Sequence, residues 1–195
     1  RAPGRTRRAQ GHPQRRSGEN GPKARVRNLG TMLGEMPTAA LADEILTPGE
    51  GQVHALLSVG GNPVVAWPNQ RKVVRALEAI DLHVAVDVEM SASAKLAHYI
   101  LPPVLSLERA DVTLLSDGWY ESPYVHYCDA LLPAPSECIE EWELYWELAQ
   151  RLGTPIDLPG GSLSLSQRPT KAQVLECALP TPRVAWSEIR RQPGG

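Results

Sequence analysis

The 195-residue chain is 42% hydrophobic and 22% charged with a formal net charge of −2, a balance that lets it bury an ordinary core. No apolar run approaches the roughly 18 residues of a membrane span, and 16 glycines and 18 prolines show no Gly-X-Y period. Cys128, Cys138 and Cys177 fit neither a CxxC motif nor a disulfide framework, and His12, His54, His83, His98 and His126 show no HxH or HxxxH spacing. A soluble chain with reduced thiols and no metal site of its own is therefore expected.

Charge is spread unevenly. The first 28 residues carry nine basic side chains, with pairs at Arg7-Arg8 and Arg15-Arg16, against the single acid Glu19; the rest carries 11 basic and 21 acidic groups. Val26 is the one large apolar side chain of those 28 residues, and residues 1 to 30 are expected to form a disordered basic head or linker. Arginine clusters attract phosphates, but no aromatics interleave these and no nucleic-acid module follows, so no nucleic-acid partner is expected. The arginine pairs lack the apolar stretch of an export signal, which places the protein in the cytoplasm on this reading.

The body begins with TAALADEIL at 38 to 46, where Leu41, Ile45 and Leu46 share a helical face, Thr38 is the expected N-cap and Pro48-Gly49 the stop. His54 to Val59 then reads as a buried parallel strand running into the tight loop Gly60-Gly61-Asn62-Pro63. From Asn69, Val73, Val74, Leu77 and Ile80 recur at helical spacing, and Leu82 to Asp87 is a second strand. Residues 54 to 87 thus form one β-α-β unit, for which a parallel, right-handed crossover is the rule. A short helix over 92 to 98 and a third strand over 99 to 101 follow, stopped by Pro102-Pro103.

Residues 106 to 135 read as extended loop with a short strand near 124 to 127. ECIEEWELYWELAQRL, 137 to 152, is the strongest helix, capped by Ser136 and ended by Gly153, with Ile139, Trp142, Trp146 and Ala149 on one face. A weak helical stretch at 171 to 178 is the last element expected. The architecture expected is α/β: an open, mostly parallel sheet of Rossmann-like type with a long C-terminal-side helix and irregular tails. Its domain would cover 31 to 158, with 159 to 195 an irregular tail.

In an open parallel sheet, ligands bind beyond the carboxyl ends of the strands, where Gly60-Gly61-Asn62-Pro63 and Asp87 both fall. A glycine pair lets backbone approach a phosphate, and a carboxylate accepts paired hydrogen bonds from a ribose diol or from the N1 and amino donors of guanine. The bland alternative is a turn and a strand-end cap. No GxGxxG or Walker loop is present, so neither NAD nor ATP is indicated. No GxSxG elbow ties the serines, His126 and Cys128 into a nucleophilic set, Glu108 and Asp111 read as structural, and no catalytic residue is assigned.

Taken in order, Gly60-Gly61-Asn62-Pro63, Val86-Asp87 with Met90-Ser91, Ala97 to Pro102, Leu107-Glu108-Arg109-Ala110-Asp111, and Glu141-Trp142 leading to Leu152-Gly153 make residues 34 to 155 resemble the central cofactor-binding region of the molybdopterin oxidoreductases, the dimethyl sulfoxide reductase family. The resemblance implies a bis-molybdopterin guanine dinucleotide cofactor carrying molybdenum or tungsten. By that analogy Gly60, Gly61, Asn62 and Pro63 lie against one dinucleotide, Asp87 hydrogen-bonds its guanine, and Ser91 stands where threonine is usual. His98 stands where aspartate is more common, and Ser116-Asp117-Gly118-Trp119-Tyr120 replaces the usual Asn and Gly-Arg signature, so no substrate is implied. The family's metal ligand, 4Fe-4S segment and C-terminal cofactor domain are not in this sequence. The resemblance therefore implies a piece of a catalytic subunit, inactive alone, whose partners are the remaining domains and an electron-transfer subunit. A non-catalytic α/β nucleotide-binding or interaction module is the alternative.

Overall fold

The computed structural model describes residues 21–32, 34–113, 121, 124–179 and 184–192. The arginine pairs of the head and Ser116 to Tyr120 lie outside the described residues. The chain divides into two compact units: residues up to Ala85 with Met90–Ile100, and Val86–Glu89 with the residues from Leu101 onward.

In the first unit, α1 (Thr38–Leu46) leads to β1 (Ala55–Val59), α2 (Pro63–Ala66), α3 (Gln70–Ala79), β2 (Leu82–Val86) and, after a 3-10 turn at Ala94–Leu96, β3 (Tyr99–Leu101). The division between the units falls at the last residue of β2 and of β3. The three strands form a parallel sheet in the order β1-β2-β3. Being central, β2 buries His83, Ala85 and Val86, whereas β1 lies at an edge and buries only Ser58, less than the buried strand expected from its apolar run.

The core of this unit is built by α3. Val73, Ala76, Leu77 and Ile80 recur at three- and four-residue intervals and meet Ala42 and Ile45 of α1 and Val64 of α2. Each large side chain removed from water there contributes about 1.5–3 kcal/mol. Asn69 starts α3 from a left-handed conformation (φ 63°), its Oδ1 accepting from the Lys72 N–H at 3.3 Å. At α1 the N-cap is Pro37 rather than Thr38, which is already helical and gives no side-chain cap.

Residues 21–30 hold defined contacts that their composition did not suggest. Lys23 bridges Gly30, Ala24 is buried, and Arg25 donates to the carbonyls of Thr47 (2.6 Å) and Glu44 (3.4 Å), satisfying the carboxyl end of α1. The Glu44 carboxylate accepts from the Val26 N–H at 2.8 Å and pairs with Arg25 at 3.3 Å. What one helix end lacks, this short stretch supplies, so it needs little apolar surface of its own.

In the second unit, β4 (Asp111–Val112) pairs antiparallel with β5 (Tyr127–Cys128), α4 covers Glu141–Leu152, β6 (Ile156–Leu158) and β7 (Gly161–Leu163) form a hairpin, and α5 (Lys171–Ala178) and α6 (Trp186–Ile189) follow. The stretch from 159 is not an irregular tail. Its Leu175, Leu179, Trp186 and Ile189 build a core with Val112 and Tyr127, where the Tyr127 and Trp186 rings meet edge to face at 5.5 Å. Among the described residues no helix is long and apolar enough to cross a membrane.

Helix α4 starts four residues later than expected and is not capped by Ser136. Ile139 is held extended: its N–H donates to the Pro102 carbonyl at 3.0 Å and its carbonyl accepts from the Val104 N–H at 2.9 Å. Glu140 is the N-cap, its N–H donating to the Glu143 carboxylate at 3.0 Å, and Gly153 closes the helix at φ 63°. Trp146 and Ala149 are buried, and the Trp146 indole N–H donates to the Ser164 carbonyl at 2.8 Å.

Candidate functional site

The loop Gly60-Gly61-Asn62-Pro63 joins the carboxyl end of β1 to α2 within the first unit. Gly60 has φ +60° with nothing within 4 Å of where a Cβ would sit, so the turn needs glycine for its backbone rather than for space. Gly61 is exposed; buried Pro63 opens α2, where a missing N–H leaves nothing unpaired.

Asn62 is held from behind by a residue that the sequence did not point to. Ser93 is 1% exposed; its Oγ–H donates to Asn62 Oδ1 at 2.7 Å and its Oγ accepts from the Val64 N–H at 2.8 Å. Ser91 lies two residues before it and accepts from the Ala94 N–H at 3.2 Å, which turns the chain into Ala94–Leu96. The segment 91–94 thus meets the glycine loop in the same unit. No spacing rule connects Ser93 with Asn62 across 31 positions; the one available signal is a small hydroxyl residue set between Ala92 and Ala94.

Asp87 follows β2 and belongs to the second unit. Its N–H donates to the Leu101 carbonyl at 3.3 Å, and its half-buried carboxylate accepts from the Glu89 N–H at 3.3 Å. A carboxylate offers about four acceptor positions, so most of its capacity remains for a ligand.

A second polar cluster lies inside the first unit. His83 is fully buried, its Nε2 hydrogen-bonds Ser58 Oγ at 2.9 Å, and its backbone N–H donates to His98 Nδ1 at 2.9 Å. Burial pushes its pKa below the ordinary 6.5; the Leu96 backbone opposes this, and His98 adds to the lowering. His98, at the position where the resemblance more often has aspartate, here ties two segments together.

The remaining polar residues weighed from the sequence have structural partners. The Glu108 carboxylate accepts from the Leu105 N–H at 2.7 Å, and Asp111 accepts from the Val112 N–H at 2.8 Å. The His126 N–H donates to Thr113 Oγ1 at 2.9 Å, and Cys128 Sγ lies 3.9 Å from the Asp111 carbonyl. Arg109 joins Glu141 at 2.8 Å. Among the described residues no group of three or more His, Cys, Asp or Glu side chains is placed to hold a metal ion.

The family model for molybdopterin oxidoreductase matches residues 6–151, about three quarters of the chain. The chain belongs to the molybdopterin oxidoreductase family. It is 32% identical over 115 residues to a probable oxidoreductase, YyaE, of Bacillus subtilis, covering 57% of this chain and 16% of that protein. To the trimethylamine-N-oxide reductase of Haemophilus influenzae it is 28% identical over 134 residues, 63% of this chain and again 16% of the relative. Among solved structures, acetylene hydratase from Pelobacter acetylenicus matches with a TM-score of 0.53 and 28% identity, over 60% of this chain and 16% of that one. The chain therefore spans about one sixth of the length of these relatives.

Proposed function

We propose that this chain is the part of a molybdenum or tungsten oxidoreductase that cradles one guanine dinucleotide of a bis-molybdopterin cofactor. Gly60, Gly61, Asn62 and Pro63 form the loop laid against the dinucleotide, Ser91 shapes the segment beside that loop, and Asp87 accepts the guanine donors. Family membership supports the cofactor class. The observation that carries the assignment to these residues is the side-chain tie from Ser93 to Asn62, which makes the glycine loop a held surface instead of a free turn.

The donor set matches the chemistry of such a group. A half-buried carboxylate engaged by one N–H has acceptor positions for the N1 and N2 donors of guanine, which adenine does not present in that arrangement. Open space at Gly60 lets backbone approach a phosphate oxygen. When bound, the cofactor supplies the redox-active metal and its dithiolene ligands. The protein's own residues bind and orient it, and the metal ligand, a 4Fe-4S cluster, the remaining domains and an electron-transfer subunit belong to the rest of the enzyme on this reading. Alone, the chain is expected to be inactive.

Calorimetric titration of guanosine diphosphate and adenosine diphosphate into the 195-residue chain, beside Asp87→Asn, tests the assignment. Guanine-selective binding weakened in Asp87→Asn by about 1–3 kcal/mol, the worth of a hydrogen bond to a charged group, is expected. Equal affinity for the two nucleotides would refute it.

A further inference from the structure

We propose that Ser93 is a positioning residue of this site: it turns the Asn62 carboxamide oxygen inward, so that the NH2 group is the face offered to the ligand, and that face takes a phosphate oxygen. The proposal rests on the dinucleotide reading above and adds to it the residue that sets the polarity of the loop.

The orientation follows from counting hydrogens. A backbone N–H can only donate, so at Val64 the Ser93 oxygen is the acceptor, at 2.8 Å. That hydroxyl then has one proton left, and with Ser93 1% exposed the proton needs an acceptor inside the protein. Asn62 Oδ1 at 2.7 Å is that acceptor. Had the amide been turned over, two donors would face one hydroxyl and its proton would be stranded, at the cost of a buried unsatisfied polar group. The Asn62 amide orientation is thereby set by Val64 through Ser93, and the two NH2 protons point away from the relay.

A face of donors recognises acceptors. Beside it, Gly60 and Gly61 have no side chain to keep an anion from the backbone, and because neither they nor Pro63 carry a polar side chain, Asn62 is the side-chain donor of the Gly60–Pro63 turn. Phosphate oxygens are the strongest acceptors in a guanine dinucleotide, and hydrogen bonds to them are charge-assisted. The base, which brings donors as well as acceptors, is served by the Asp87 carboxylate instead.

The test uses the 15N-labelled 195-residue chain with guanosine diphosphate, inorganic pyrophosphate and guanosine as probes, following the Asn62 side-chain NH2 resonances and the affinity. Guanosine diphosphate and pyrophosphate should both move the Asn62 pair, and guanosine should not. Asn62→Asp keeps the size of the side chain and the oxygen facing Ser93 but replaces the outward donor by an anion. It should melt as the parent does yet bind both phosphate probes at least about tenfold more weakly. Ser93→Ala should lose affinity to a similar degree, and Ser93→Thr, which keeps the hydroxyl, should stay within about twofold of the parent.

Parent-like pyrophosphate affinity in Asn62→Asp would overturn the proposal while leaving the guanine reading to Asp87→Asn. An unaltered NH2 response in Ser93→Ala would do the same for the positioning role. If Ser93→Ala does not fold, Asn62→Asp and Ser93→Thr decide. Failure of the parent chain to bind guanosine diphosphate or pyrophosphate would overturn both the dinucleotide reading and this proposal.

Discussion

His83 shows at the scale of one residue how burial becomes a pH response. Its ring is removed from water, with Ser58 on Nε2, and burial outweighs the opposing Leu96 backbone, so the protonated form is disfavoured and the folded-state pKa lies below the unfolded value of 6.5. Below 6.5 the unfolded chain binds more protons than the folded one, so stability is full above that pH and declines as pH falls toward the folded-state pKa. Thermal melts across this range should show the decline, and His83→Gln should reduce it; an equal slope in the two proteins would assign the effect to other groups. A histidine in an otherwise apolar strand gives no sign in the sequence of which way its pKa moves, because burial and neighbours decide that. By contrast, Gly60 and Pro63 were legible as a turn, since each has a backbone peculiarity that holds in any fold.

Elements were read best where their signal is local. Because apolar spacing and flanking prolines act within one turn, helix α5 has the limits that periodicity predicts, Lys171–Ala178, and α1 ends at Leu46 as predicted but starts one residue early, at Thr38. Helix α4 starts at Glu141 because Ile139 bonds to residues 102 to 104, and no signal within 137 to 152 carries that information. Gly160 is a similar case. Its N–H donates to the Cys177 carbonyl at 2.7 Å, and an added Cβ would lie 2.2 Å from the Leu179 carbonyl, so hairpin and α5 approach too closely for any side chain. The obstructing atoms are backbone. Gly160→Ala should therefore destabilise the chain by about 2 kcal/mol or more, read as a lower denaturant midpoint, whereas a surface glycine-to-alanine change stays near zero.

Across the whole molecule, two compact units each have an apolar cluster of their own, one centred on α3 and one on Tyr127, Trp186 and α5. Leu77, fully buried at the centre of the first, should cost about 2–5 kcal/mol when cut to alanine, measured by denaturant midpoint and by faster amide exchange in α3. An unchanged midpoint would mean that α3 does not anchor this unit. The order of motifs from Gly60 to Gly153 sufficed to indicate the family, and the β-α-β unit, with the glycine loop after its first strand and Asp87 after its second, was readable because strand, helix and turn preferences act over a few neighbouring residues. The packing of Leu175, Leu179, Trp186 and Ile189 against Val112 and Tyr127, the Arg25 cap on α1 and the Ser93 tie to Asn62 were decided only in three dimensions. Each joins residues far apart in the chain, and the energy that selects such a contact exists only once the backbone has brought both partners out of water together.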